Sequence, residues 1–308
     1  MTTDMIDPVV QPPSEAAVPQ PTKRLSKWAL YSRRYARNKG AVAGLVIFVL
    51  LVLFAIFGPL IARYDHVALD FLNLSTGPSA EHWFGTNSAG NDLFAQVAVG
   101  LQRSLMIAIT VSVGVTIVSA LVGTAAAYFG GWTERIALLV IHFMMVIPSF
   151  LILSMISNKA GGDWRVIALI MIFVIGWYFP ARVIWTLALS LREREYVSAA
   201  RYMGVGGMKI VLRHLLPNIG SLLVINFTLG VVNAVITETG LSFLGFGVKI
   251  PDVSLGALIG SGSNSLTTSP WLFYFPAAAL VLLTVSMALV ADGLRDALDP
   301  TSAAGGRA

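Results

Sequence analysis

The sequence predicts an all-α membrane protein with six transmembrane helices, and three observations predict it. Of 308 residues, 56% are hydrophobic and only 12% charged. Soluble domains carry charge on about a quarter of their residues, so this chain cannot cover itself with polar groups and the solvent it expects is largely lipid. The apolar residues fall into six runs, each near the ~20 residues that a helix needs to cross hydrocarbon. The basic residues lie in the loops beside those runs, and this topological pattern, rather than nucleic-acid binding, accounts for the net charge of +5.

Taken in order, residues 1–22 hold five prolines among polar residues and read as a disordered tail. Residues 23–40 carry seven Lys or Arg and no acid, with Leu25, Trp28, Ala29, Tyr35 and Ala36 at helical spacing. They read either as a basic amphipathic helix on the cytoplasmic membrane surface or as a solvated leader. The first run, 41–61, follows this basic segment without a small-residue cleavage site and is expected to be a retained span. An extracytoplasmic loop is expected over 62–101. Five more helices are expected within 102–296, from the apolar runs Ser104–Tyr128, Ile136–Ile156, Val166–Leu191, Leu215–Ile236 and Trp271–Ala291. The fourth run contains Arg182, near which its spanning part should end. The segment at 192–217 is a cytoplasmic loop and 297–308 a cytoplasmic tail. Glycines at 114, 123, 176 and 230 allow close helix approach. With the N-terminus inside, sixteen basic residues fall on inner segments and five on outer ones, which predicts both termini in the cytoplasm. The glycine-rich stretch Thr239–Val248 reads as re-entering the membrane edge, which is tolerated only where protein buries it.

The residue inventory excludes several chemistries. There is no cysteine, hence no disulfide, thiolate zinc site or cysteine nucleophile. The four histidines show no metal-ligand spacing. No Gly-Lys-Ser/Thr occurs, so the chain has no phosphate-binding loop with which to hydrolyse ATP, and neither G-x-S-x-G nor H-E-x-x-H is present. His142, inside a span, either lines a pathway or is hydrogen-bonded between helices. Glu238 is a structural cap or a gate partner. Asn226 and Asn233, one heptad apart, face a polar cavity or bond to neighbouring helices.

The most informative stretch runs from Leu191 to Asn218. Tyr196, Ala199, Ala200 and Met203 recur at i, i+3, i+4 and i+7 and make one apolar helical face. Gly204 stands where that helix should stop. A second amphipathic helix carries Met208, Val211, Leu212 and Leu215, and Pro217 opens the next span. Such a charge-rimmed pair forms a knob suited to a partner's groove, or else lies flat on the membrane.

This loop resembles the signature loop of the permeases of binding-protein-dependent ABC importers. Ala199, Ala200, Gly204, Leu216 and Pro217 carry the match, and the wider string from Arg192 is similar to the peptide and nickel branch. The motif's Glu is Ser198 here, with Glu195 one turn earlier. His82–Thr86 with Gly90, Asp92 and Gly100, Leu241–Gly245 with Glu238, and Asp292–Pro300 resemble three further motifs of the family in the same order, as found in the C-type permeases of dipeptide and oligopeptide systems. The resemblance implies a type I importer permease fold in the bacterial cytoplasmic membrane. It implies a homologous second permease, two ATPase subunits holding ATP and Mg2+, and an extracytoplasmic substrate-binding protein. This chain itself would hold no cofactor and no metal, catalyse nothing, and translocate di- or oligopeptides. Docking to the ATPases falls to the loop, with Arg192, Glu195, Tyr196, Ala199, Ala200, Arg201, Met203, Gly204, Leu216 and Pro217 as its candidate residues; Glu195 and Arg201 are polar rim contacts. The rivals are the same machine carrying nickel complexes, glutathione or another small solute, a secondary transporter or channel acting alone, and a membrane enzyme.

Overall fold

The computed structural model describes residues 27–159, 161–249 and 251–298, all in helices and connecting turns apart from one isolated β-bridge between Thr86 and Asp92. The disordered tail expected at 1–22 and the final residues of the C-terminal tail lie outside them. Within the basic segment expected at 23–40, α1 spans Lys27–Arg37, and residues 23–26 lie outside the described residues. Asn38 caps the next helix, α2 (Lys39–Ile61), by accepting from Ala41 N–H. Then follow α3 (Leu93–Phe129), α4 (Gly131–Val146), α5 (Ser149–Lys159), α6 (Trp164–Met171) and α7 (Tyr178–Arg192). The loop supplies α8 (Glu195–Tyr202) and α9 (Gly207–Ile210), and α10 (Gly220–Phe243), α11 (Leu255–Ser263) and α12 (Trp271–Leu298) complete the chain.

Four of these helical stretches are long and apolar enough to cross a membrane unbroken, and counting the α4–α5 and α6–α7 pairs as one span each gives six. The third and fourth spans, expected as the apolar runs Ile136–Ile156 and Val166–Leu191, are each broken in two. The α4–α5 pair bends by 81° at Pro148, which forces the preceding Ile147 to extended backbone (ψ 130°). The α6–α7 pair bends by 42° through a π-helical turn at Ile172–Gly176. Pro180 sits four residues after Gly176 and has no N–H to offer its carbonyl, which favours a break there.

Two boundaries also differ. Helix α3 begins at Leu93, inside the expected 62–101 loop, because Asp92 accepts from Ala95 N–H as its N-cap. At 37 residues it is roughly 55 Å long and must project beyond a ~30 Å hydrocarbon layer. Helix α10 continues through Phe243, so half of the supposed re-entrant stretch is helix. The chain then reverses at Gly245 (φ +82°) and returns as the largely buried α11.

The core lies where α3 runs against α7, α10 and α2, and where α12 runs against α2, α10 and α11. Small residues permit these contacts: a Cβ on Gly44 would come within 2.8 Å of Ser286 O, and one on Gly123 within 2.6 Å of Ala181 O. Residues 62–92 form an irregular cap tied to α3 and α12. Buried His82 offers Nδ1 to Asp92 Oδ1 at 2.9 Å, has Nε2 3.4 Å from Asp70 Oδ2, and stacks on Tyr64. Hydrogen bonds from the Asn73 amide and Leu72 N–H, with a smaller contribution from His82, hold the Asp70 carboxyl below its ordinary range. Trp271 Nε1 donates to Thr86 O at 3.2 Å, and Phe84 stacks on Phe275.

Candidate functional site

Two features are built from the helices just described: a knob at one end and a cavity in the middle. At the knob, α8 is anchored by its own chain. Val197 and Ala200 are buried together with Ile210, Val211 and Leu215, and Tyr128 and Val205 pack on them. Helix α8 ends in a Schellman motif, in which Val205 N–H bonds to Ala200 O and Gly204 N–H to Arg201 O, with Gly204 at φ +75°. Arg192 Nη1 donates to Ala127 O at 2.9 Å and so ties the start of the loop to the end of α3. Arg201 lies over the Tyr128 ring, 5.4 Å from its centroid.

The single apolar face expected from spacing is in fact divided. Ala200 points inward and is 2% exposed, whereas Tyr196 is 40% and Met203 75% exposed, and Ala199 is exposed beside them. Tyr202, which spacing did not single out, is 89% exposed, and Met208 and Leu212 of the second segment are exposed as well. That second segment is not a separate helix. From Gly207 it runs through a π turn at Val211–Leu215 and a 3-10 turn at Leu216–Ile219 into α10, with Leu216 half-buried and Pro217 exposed at the joint. Exposed Glu195 borders a cleft of about 740 Å³ that Leu191, Glu193, Arg194, Tyr196 and Asn218 also line. Arg192 and Arg201 thus hold the loop's own fold, while Tyr196, Ala199, Tyr202 and Met203 present an apolar tip.

The cavity, of about 440 Å³, lies between α3, α10 and the broken fourth span. Asn226 and Asn233 both line it, together with Ser112, Thr116, Tyr178 and Thr237, among apolar neighbours. Among the described residues that line it none is charged. Ser112 Oγ donates to Phe227 O and pins α3 to α10 at its wall. His142 is exposed on α4 and is not part of the lining. Glu238 is not a helix cap, and it does not itself line the cavity although its neighbour Thr237 does. It is buried, accepts from Ser242 Oγ at 2.6 Å and has Ser104 Oγ at 3.5 Å, so it links α10 to α3; Ser242 Oγ in turn accepts from Val248 N–H. Thr116 was missed by sequence reasoning, since a lone threonine in an apolar run gives no signal, and Val197 was missed because it lay off the chosen stripe.

The family model for binding-protein-dependent transport system inner membrane components matches residues 116–303, and that for the N-terminal transmembrane domain of oligopeptide transport permease C matches residues 26–78. The chain is 43% identical over 282 residues to an oligopeptide transport system permease protein OppC of Mycobacterium tuberculosis, covering 91% of this chain and 97% of that one. It is 35% identical over 280 residues to the protein of the same name from Bacillus subtilis (90% and 91% covered). With a putative peptide permease protein of Brucella suis it shares 36% identity over 272 residues (87% and 89%).

Proposed function

The chain belongs to the family of binding-protein-dependent transport system inner membrane components, a non-catalytic permease subunit of an ABC importer, and on that premise we propose that it moves di- and oligopeptides across the bacterial cytoplasmic membrane. The relatives named for oligopeptide transport support that cargo. In this reading the permease pairs with a homologous second permease and receives peptide from an extracytoplasmic binding protein. Two cytoplasmic subunits, which hold the ATP and Mg2+, drive it. Both termini face the cytoplasm.

The observation that carries the coupling role is the outward-facing set Tyr196, Ala199, Tyr202 and Met203 on a helix whose opposite face is locked into its own chain. A rigid knob with an exposed apolar tip can transmit force, because pushing on α8 moves Ile210, Val211 and Leu215 and with them the base of α10. Closure of the ATPase pair around bound nucleotide presses on the knob and tilts α10 against α3, two of the helices that flank the cavity. Glu195 adds a rim charge of small weight.

Deleting the chain tests the cargo. Cells without it lose growth on short peptides as an amino-acid source and regain it when the chain is restored. Unchanged peptide uptake together with lost uptake of a nickel complex, glutathione or another solute contradicts the assignment.

A further inference from the structure

We infer that Asn226 and Thr116 form a hydrogen-bonding subsite that reads a neutral backbone amide of the passing cargo, independently of its side chains. The inference rests on the peptide reading above and names how the cavity holds that cargo.

Two independent observations converge on this place. Asn226 Nδ2 and Thr116 Oγ1 are enclosed side-chain atoms that make no protein hydrogen bond, and both residues line the same cavity from opposite helices, α10 and α3. An enclosed polar atom left unpaired is destabilising, and native proteins leave few such atoms unless a function uses them. The second observation is the break in the fourth span. Gly176, Tyr178 and Pro180 line the cavity where the helix passes through its π turn and bends. Discontinuous helices and π turns gather at binding sites in membrane transporters.

The chemistry selects the ligand. Asn226 Nδ2 can only donate, so it requires an acceptor, and the Thr116 hydroxyl can donate or accept. An amide unit supplies a carbonyl acceptor and an N–H donor side by side. The uncharged lining offers no counter-ion to a carboxylate or an ammonium group, whose unpaired burial is costly. A charged chain end therefore belongs outside this subsite and an interior peptide unit belongs in it. Recognition of the unit common to every peptide lets cargo of varied sequence pass.

The test uses the complete transporter, with both permeases, the ATPases and the binding protein, in proteoliposomes. Uptake of labelled tri-alanine is compared with that of tripeptides carrying a central Lys or a central Glu. Asn226→Leu removes the donor, and Thr116→Val removes the hydroxyl at nearly constant volume; the amount of co-purified complex reports assembly. Each variant is expected to lower uptake by about two- to tenfold, by a common factor across the three peptides. Asn226→Asp places a charge in the neutral cavity and is expected to split the series, lowering the Glu peptide more than the Lys peptide. Wild-type uptake in both Asn226→Leu and Thr116→Val, or a loss confined to one central side chain, overturns the inference while leaving peptide transport intact. Should the wild-type complex take up no peptide at all, the reading falls and the inference with it.

Discussion

Ala199 and Ala200 are adjacent, equally small and opposite in orientation. Ala200 is 2% exposed against Ile210 and Leu215, whereas Ala199 faces out beside Tyr196. Ala200→Trp is therefore expected to overpack the chain's own cluster, at a cost of about 1–3 kcal/mol, and to lower the melting temperature of the purified permease. Ala199→Trp leaves that temperature unchanged and weakens recovery of the ATPase subunits in a pull-down by roughly ten- to a hundredfold in affinity, because a partner's groove has no spare volume. Equal behaviour of the two variants contradicts the division of the face. Periodicity could not have separated them. Apolar residues spaced for a helical stripe look alike whether they bury against the same chain or await another, and Val197, which marks the inner side, lay off the stripe chosen. Gly204 was legible, since only glycine reaches φ +75° without strain at a helix end.

At the scale of elements, hydropathy located the apolar runs and missed how the helices begin and bend. Helix α3 starts at Leu93 while its first apolar run starts at Ser104, because Gln96, Gly100 and Arg103 dilute hydrophobicity over helical turns that Asp92 caps. Asp92→Ala removes both the cap and the partner of buried His82. It is expected to cost about 1–3 kcal/mol, read as a lower melting temperature, whereas Asp92→Asn retains a capping oxygen and loses less. Identical melting of Asp92→Ala and the wild type would show that this cap does not hold α3. The bends are legible in hindsight from Pro148 and Pro180, as each withholds an N–H within an apolar run. The window average of hydrophobicity is blind to a missing donor, so the apolar runs by themselves do not show the bends.

For the whole molecule, the six-span count and the position of the loop followed from composition and spacing, whereas the cavity followed only as one of two alternatives for Asn226 and Asn233. Asn226 and Asn233 share a helix face by their spacing, but Thr116 joins them only because α3 and α10 meet in space. Topology can be tested cleanly, since the natural chain has no cysteine. Cysteines at Leu72, which is 93% exposed, and at exposed Thr267 are expected to react with an impermeant reagent from outside, and one at exposed Gly206 only from the cytoplasmic side. The central claim is that this permease couples ATP hydrolysis on its partners to peptide entry through the α8 knob. It is tested most directly by labelled-tripeptide accumulation in proteoliposomes holding the full complex, with the wild type and Ala199→Trp side by side. The expected result is accumulation that requires ATP and the binding protein and falls at least tenfold in the variant; peptide entry without ATP, or equal accumulation by both proteins, contradicts it.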